Sequence, residues 1–403
     1  MNMIKKDETF QKILTNASTL TKDNVKSILL MYEEKILYIG NFCIDFDKLR
    51  YIREFFNEAA ITVNFSKEKC DNIYRGILEN SPNLDHMSHL AWHQIDFRKY
   101  DVVFCISYEE ELLLKFLHEK YGDLILQGQF NVSVFSISNF LLPPRPGYRF
   151  IFPVNEGIMK AYDPTSKPGE IYLTNEEIAW GDQWLQSKGI RDDEDLFVLL
   201  DSASIKDKLL NIDEFFVFLT FILEIRNSKV LIFDERDLGK EEFYAAWLGD
   251  AGIEKIIFAN RLGLRKDLCL VGSKYTKLVF GPCTGLMHCA SRIYNRFVNK
   301  GMPVSDVPLL ITYTGEYTPS YPNASYWWKD SPLLHCLLLQ KEDDREKIVL
   351  LDSLSESAKM SYEQIPCSKY TATMLINFVS NKLCYDNISA NITENTKQCF
   401  NYR

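Results

Sequence analysis

The sequence predicts an α/β protein made of two doubly wound domains, and three observations carry that prediction. At 403 residues, 46% of them hydrophobic, the chain exceeds what one ordinary core organises, so two domains of roughly 150–200 residues are expected. Short apolar runs alternate with segments of helical spacing, the pattern of parallel sheets covered by helices. Between residues 142 and 170 that alternation breaks into "LLPPRPGYRF" and "YDPTSKPGE", where proline and glycine favour extended or turn structure and set a hinge.

Taken in order, the first domain opens on "TKDNVKSILLMYEE" (21–34), where Val25, Ile28, Leu29 and Tyr32 share one helical face and predict a helix. "KILYIGNF" (35–42) then reads as a buried strand and "KLRYIREFFNEA" as a helix. A second strand–helix pair follows in "DVVFCIS" (101–107) and "YEEELLLKFLHEKYG". Beyond the hinge come five strand-like runs: "LFVLLD" (196–201), "KVLIFD" (229–234), "KIIFAN" (255–260), "KLVFG" (277–281) and "VPLLITYTG" (307–315). Helices are expected from Asp213 to Arg226, near 240–251, near 264–273 and after 284, with a last one near 368–383. The closing "DNISANITENTKQCFNYR" is polar and reads as a flexible tail.

Composition removes several function classes. A net charge of −9 with no Lys/Arg block does not suit a nucleic-acid surface, which needs a clustered basic face. Ten scattered cysteines form no CxxC pair, so structural zinc is not indicated and the thiols read as reduced. The start of the chain has no apolar leader-like stretch, and no window approaches eighteen uninterrupted apolar residues, which predicts a cytoplasmic protein. The sequons at Asn387 and Asn391 are then chance matches.

In open parallel sheets, ligands gather outside the carboxyl ends of the strands. Three loops there carry chemistry. "SASIKDKLL" brings Ser202, Ser204, Lys206 and Lys208; "ERDLGKEE" brings Glu235, Glu241 and Glu242; "PCTGLMHC" brings Cys283, Thr284, Gly285 and His288. Thr284 is placed to cap a helix and Gly285 to let a backbone approach closely, and free amides at such a start favour an anion. Leu286, Ala290, Ile293 and Phe297 would form the inward face of that helix. Most Thr-Gly pairs opening a helix are caps and nothing more, and most histidines there are ordinary polar neighbours; the convergence of several loops on one sheet edge favours a site.

The stretches "LDSASIKDKLL" and "LGLRKDLCLVGSKYTKLVFGPCTGLMHCAS" resemble the glycosyltransferases of family nine, the group of bacterial lipopolysaccharide heptosyltransferases. In that family a small-residue loop ends in lysine and a Leu-rich helix leads into an Asp-Thr-Gly-x-x-His turn; Lys208, Thr284, Gly285 and His288 match. Cys283 stands where the family has aspartate, which puts the donor sugar and the activity itself in question. The resemblance spans 196–320 and is fainter outside it.

The resemblance implies the GT-B fold, two Rossmann-like domains across a cleft. It sets a helical extension at 1–34, an acceptor domain at 35–160, a nucleotide-sugar domain at 161–345, a C-terminal segment and helix at 346–385 and the tail at 386–403. It implies an inverting transferase needing no cofactor or metal, with a nucleotide-sugar donor and a surface glycan or lipid-linked precursor as acceptor, and leaves room for peripheral contact with the inner membrane. Lys208, Ser204, Thr284, Gly285 and His288 would bind the donor diphosphate, and Glu241, Glu242 and Cys283 the sugar or nucleoside. A carboxylate after the first strand would be the general base: Asp47, or else Asp45. Aspartate ahead of a helix is also a common cap. Asp45-Phe46-Asp47 spells Asp-x-Asp, as does part of "DDED" at 192–195; the first follows a single strand and the second sits in a charged turn, so neither predicts a metal. A degenerate nucleotide-binding homologue and a nucleotide-sugar epimerase are the rival readings. "YPNASYWWKD" (321–330) offers Trp327 or Trp328 as a sugar or base platform, with core packing the commoner role of such aromatics.

Overall fold

In the computed structural model the described residues are 2–32, 38–66, 68–106, 110–136, 157–158, 160–161, 167–315, 328, 331–343, 345–360 and 365–383. The expected hinge and tail, and Trp327, lie mostly or wholly outside them. The chain divides into two compact units, 1–169 and 170–403.

The first unit holds a five-stranded sheet in the order β3-β2-β1-β4-β5, all parallel. Its strands are β1 (Ser27–Tyr32), β2 (Ala60–Phe65), β3 (His86–Ser88), β4 (Val102–Ile106) and β5 (Ser133–Ser136). Residues 21–34, for which helical spacing predicts a helix, instead contain the central strand β1. Ile28 to Tyr32 are all buried, because a strand inside a parallel sheet is covered on both faces and reads as one continuous apolar run, which fits every period. The helical extension expected at 1–34 is therefore only α1 (Asn2–Thr19). The hydroxyl of Thr9 on α1 lies 3.0 Å from His118 Nδ1 on α5 (Glu110–Leu126).

The strand expected at 35–42 is also overturned, since Ile39–Phe46 is helix α2. α3 (Leu49–Phe55) follows almost at once, and α4 (Glu68–Leu78) comes after β2. What drew α2 into a helix is aromatic packing: Phe42 stacks on Tyr74 of α4 at 3.9 Å and meets Tyr32 edge-on at 5.2 Å. Phe46 adds a further stack on Phe42 at 4.3 Å. The rings of Phe42, Phe46, Phe65 and Tyr74 thus gather around Tyr32, the last residue of β1.

The second unit has seven strands in the order β12-β11-β10-β9-β6-β7-β8. These are β6 (Asp195–Leu199), β7 (Ser228–Asp234), β8 (Ile256–Asn260), β9 (Thr276–Pro282), β10 (Leu309–Tyr313), β11 (Leu334–Glu342) and β12 (Arg345–Leu350). All pairs are parallel except the β11–β12 hairpin. The five expected strands are present; β11 and β12 join them, so the boundary expected at 345 cuts through this sheet.

Its helices are α6 (Asn175–Ser187), α7 (Ile212–Glu224), α8 (Lys240–Ile253), α9 (Leu264–Val271), α10 (Gly285–Asn299), α11 (Glu356–Met360) and α12 (Ala372–Leu383). Asn211 starts α7 by accepting from the Asp213 amide at 2.9 Å, and α7 then buries Phe215, Phe216, Phe218 and Phe221. Leu375, Ile376 and Val379 of α12 belong to the same core, so this helix is part of the domain.

Candidate functional site

β8-β7-β6-β9-β10-β11 is the doubly wound order 3-2-1-4-5-6, and its direction reverses between β6 and β9. The loops leaving those two strands part to opposite faces of the sheet, and the crevice they leave is where such folds bind ligands. One loop carries Lys208 and the other carries Cys283-Thr284-Gly285.

Gly281 brings the two strand ends together. A Cβ at that position would lie 2.5 Å from Leu200 Cβ and 2.8 Å from Leu200 O. Without one, Leu200 donates its amide to Phe280 O at 2.8 Å and Gly281 O accepts from Thr312 Oγ1 at 3.1 Å.

The β6 loop ends in a 3₁₀ turn, Lys206–Lys208. Lys208 Nζ donates to the backbone oxygen of Cys283 at 3.2 Å, which sets its ammonium group at the start of α10. Thr284 takes the extended conformation of an N-cap, but its hydroxyl makes no cap bond. That oxygen is buried without a hydrogen-bond partner. The capping role expected of Thr284 is thus corrected: the hydroxyl bonds none of the first-turn amides, and those amides lack intrahelical partners by construction.

His288 is 2% exposed and lies flat on Trp328, with ring centroids 3.9 Å apart and planes at 11°. Burial holds its pKa well below the ordinary value, helped by the charges of Arg292 and Lys208. Arg292 Nη1 donates to His288 O at 3.1 Å. α10 is buried on nearly all sides from Met287 to Asn295, Ser291 and Arg292 included, while Leu286 and Phe297 are only half-buried; the single inward face expected for it is too narrow. Cys283 is buried, and its neighbours include Cys336 and Cys367, both pushed up by burial.

Ser204, Glu241 and Glu242 are exposed, the two glutamates in the first turn of α8. Near them is a network whose members, Ser202 apart, the sequence does not single out. Asp201, just past β6, accepts from Lys240 Nζ at 2.6 Å, from Tyr244 OH at 2.8 Å and from Ser202 Oγ at 3.0 Å. Lys240 Nζ also donates to Phe233 O at 2.6 Å. Asp234 at the end of β7 accepts the amides of Leu238 and Lys240 at 2.9 and 3.1 Å; burial pushes its carboxyl up, and these amides with the Lys240 charge outweigh it and leave it low. The only signal in the sequence was an aspartate closing each of two neighbouring strands.

In the first unit Asp45 and Asp47 lie at the C-terminal end of α2, a helix away from β1, and not in the strand-end loop expected for them. Burial raises the Asp45 carboxyl, against the pull of Lys48, whose Nζ lies 3.6 Å away. Asp47 packs on the backbone of Gly169, where a Cβ would fall 1.7 Å from its Oδ1. The residues directly after β1, 33–37, are outside the described set. Among the described residues no group of three or more His, Cys, Asp or Glu gathers as for a metal ion, and no helix is long and apolar enough to cross a membrane.

No protein-family model matches the chain, and no curated protein sequence does. Solved structures do. ADP-heptose LPS heptosyltransferase II of E. coli superposes with a TM-score of 0.56 at 13% identity, over 89% of this chain and 99% of that one. A family 9 glycosyl transferase from Veillonella parvula gives 0.55 at 13% identity, over 92% and 100%. The chain has the GT-B fold. Within that fold, β6 to β11 form the Rossmann-like second domain, and the Lys208 and Thr284 loops stand at its switch point.

Proposed function

We propose that this chain is an inverting, metal-independent glycosyltransferase that moves a sugar from a nucleotide-sugar donor to a hydroxyl of a surface glycan or its lipid-linked precursor. The observation that carries the reading is the Lys208 ammonium group on the Cys283 carbonyl, at the start of a 15-residue helix. As the glycosidic bond breaks, the leaving nucleoside diphosphate gathers negative charge. A fixed lysine and the unbonded amides of a helix start stabilise that charge without reorganising. Both structural neighbours named above are glycosyltransferases, and the E. coli one is named for ADP-heptose, so ADP-sugars are the first donors to try.

The acceptor hydroxyl needs a base. Of the two aspartates, Asp45 suits the role better, because burial raises its carboxyl and so makes it a stronger proton acceptor than an ordinary aspartate. Attack by the deprotonated hydroxyl opposite the leaving diphosphate inverts the anomeric centre. An acceptor of this class would bring the protein to the cytoplasmic face of a membrane as a peripheral visitor.

Thermal-shift titration with ADP, UDP and their sugars, followed by transfer assays, tests the reading. Lys208→Ala abolishes the ligand-induced shift, and Asp45→Asn spares the shift but stops transfer. A shift that survives the lysine change overturns the assignment.

One group of observations favours a second reading, a nucleotide-binding protein that transfers nothing. Asp45 already faces Lys48, Asp47 is packed under Gly169, and a thiol replaces the family's aspartate at position 283. A donor that binds through Lys208 yet is neither transferred nor hydrolysed would establish it.

A further inference from the structure

We propose that Trp328 is a positioning residue for His288, fixing the plane of its imidazole and sealing one ring face from water beside the Thr284–Gly285 turn. The proposal rests on the reading of that turn as the donor-diphosphate site only for its functional consequence.

The geometry is that of a parallel stack, 3.9 Å between centroids at 11°, with the two residues 2% and 3% exposed. An imidazole attached to the first turn of a helix is free to rotate about its outer torsion unless something flat lies on it. An indole covers the whole face. The charged groups acting on the ring are Arg292, on its own helix, and Lys208, from the β6 loop, and both are cations. A cation over an indole face is stabilised, so the tryptophan by itself would favour the protonated ring; it is the exclusion of water, with two positive neighbours, that keeps the ring neutral.

The neutral form matters at a diphosphate site. It carries one N–H donor and one acceptor nitrogen, and the plane of the ring sets where each points. A neutral ring adds no charge of its own beside Lys208, which is fixed by the Cys283 carbonyl. A packing role for Trp328 alone predicts lost stability on its replacement and nothing more. A positioning role predicts that the histidine changes its chemistry.

The test follows the six histidines of the full-length chain by NMR across about pH 5 to 8, the window in which ordinary histidines titrate, with His288 assigned from its loss in His288→Gln. In the wild type the His288 resonance does not titrate in that window; an ordinary titration there overturns the proposal without any tryptophan variant. Trp328→Phe keeps an aromatic face and keeps the flat profile. Trp328→Leu admits water, and His288 then titrates within the window; a flat profile in a folded Leu variant also overturns the proposal. Should Trp328→Leu lose its cooperative melt, Trp328→Met fills more of the volume without a ring and carries the same expectations.

ADP affinity is the functional readout. It weakens several-fold in the Leu variant, increasingly towards acid pH, and stays near wild type in the Phe variant. A chain that binds no nucleotide at all would refute the proposed function while leaving the titration result standing, so the two failures are separable.

Discussion

Lys208 Nζ lies 3.2 Å from the backbone oxygen of Cys283, a residue 75 positions away in sequence. The bond spans the two loops that diverge at the reversal of strand order between β6 and β9, so the cation is anchored on the very turn whose amides it supplements. The carbonyl fixes where the ammonium group stands, at the start of α10.

The Thr284 hydroxyl provides the first prediction. A threonine that caps its helix costs about 1 kcal/mol when the hydroxyl is removed. Here the oxygen is buried without a partner and makes no cap bond, so Thr284→Val, which suits the same extended backbone, removes an unsatisfied group. The melting temperature of the unliganded variant should stay within about 3 °C of wild type or rise, 1 kcal/mol being worth about that much in domains of this size. The shift induced by ADP should shrink. A large loss of stability with ligand response intact would mean that the hydroxyl serves the fold.

How much of this was legible before any coordinates differs between the two halves for a physical reason. In the second domain each strand is bounded by polar loops and separated from the next by a helix with a visible start, such as Asn211, so β6 to β10 could be read in place. At the start of the chain the apolar residues of β1 run on, after a short break, into Tyr38 and then Ile39 and Phe42 of α2. Periodicity cannot divide such a run, and it places the strand on the wrong side of residue 35. The Thr284–Gly285 turn stands out in the sequence because its pattern is local: a Thr-Gly pair opening an amphipathic segment. The Asp201–Lys240 and Asp201–Tyr244 bonds and the His288–Trp328 stack join residues 39 or more apart and have no local signature.

Asp267 gives a prediction about pH. It sits in the first turn of α9, is 2% exposed, and its Oδ1 lacks a partner. Burial, with a smaller contribution from Glu235, pushes its carboxyl up to about 8. The folded protein therefore holds a proton that the unfolded chain releases near the ordinary value of 3.8. The stability tied to that proton is fully present below 3.8 and is lost progressively as pH rises towards about 8. Asp267→Asn mimics the protonated form at every pH. The gap in melting temperature between variant and wild type should widen in favour of the variant from about pH 5 to 8. The neutral His288 is common to both proteins and cancels in the difference. Parallel melting curves across that range would show that the carboxyl is not the proton holder.

Gly281 tests whether the close approach of the two strand ends makes the site. Any side chain there must displace either Leu200 Cβ at 2.5 Å or its carbonyl oxygen at 2.8 Å, and neither is the movable end of a flexible chain. Gly281→Ala should therefore cost about 1–3 kcal/mol, the usual price of overpacking, read as a fall of several degrees in melting temperature. Relief is available only by parting β6 from β9, the movement that draws Lys208 away from Cys283 O. The nucleotide-induced shift should consequently fall by more than the loss of stability explains. An alanine variant that melts lower but keeps the full response to ADP would show that the lysine follows the turn wherever it goes, and that the spacing of the strand ends is not what sets the anion site.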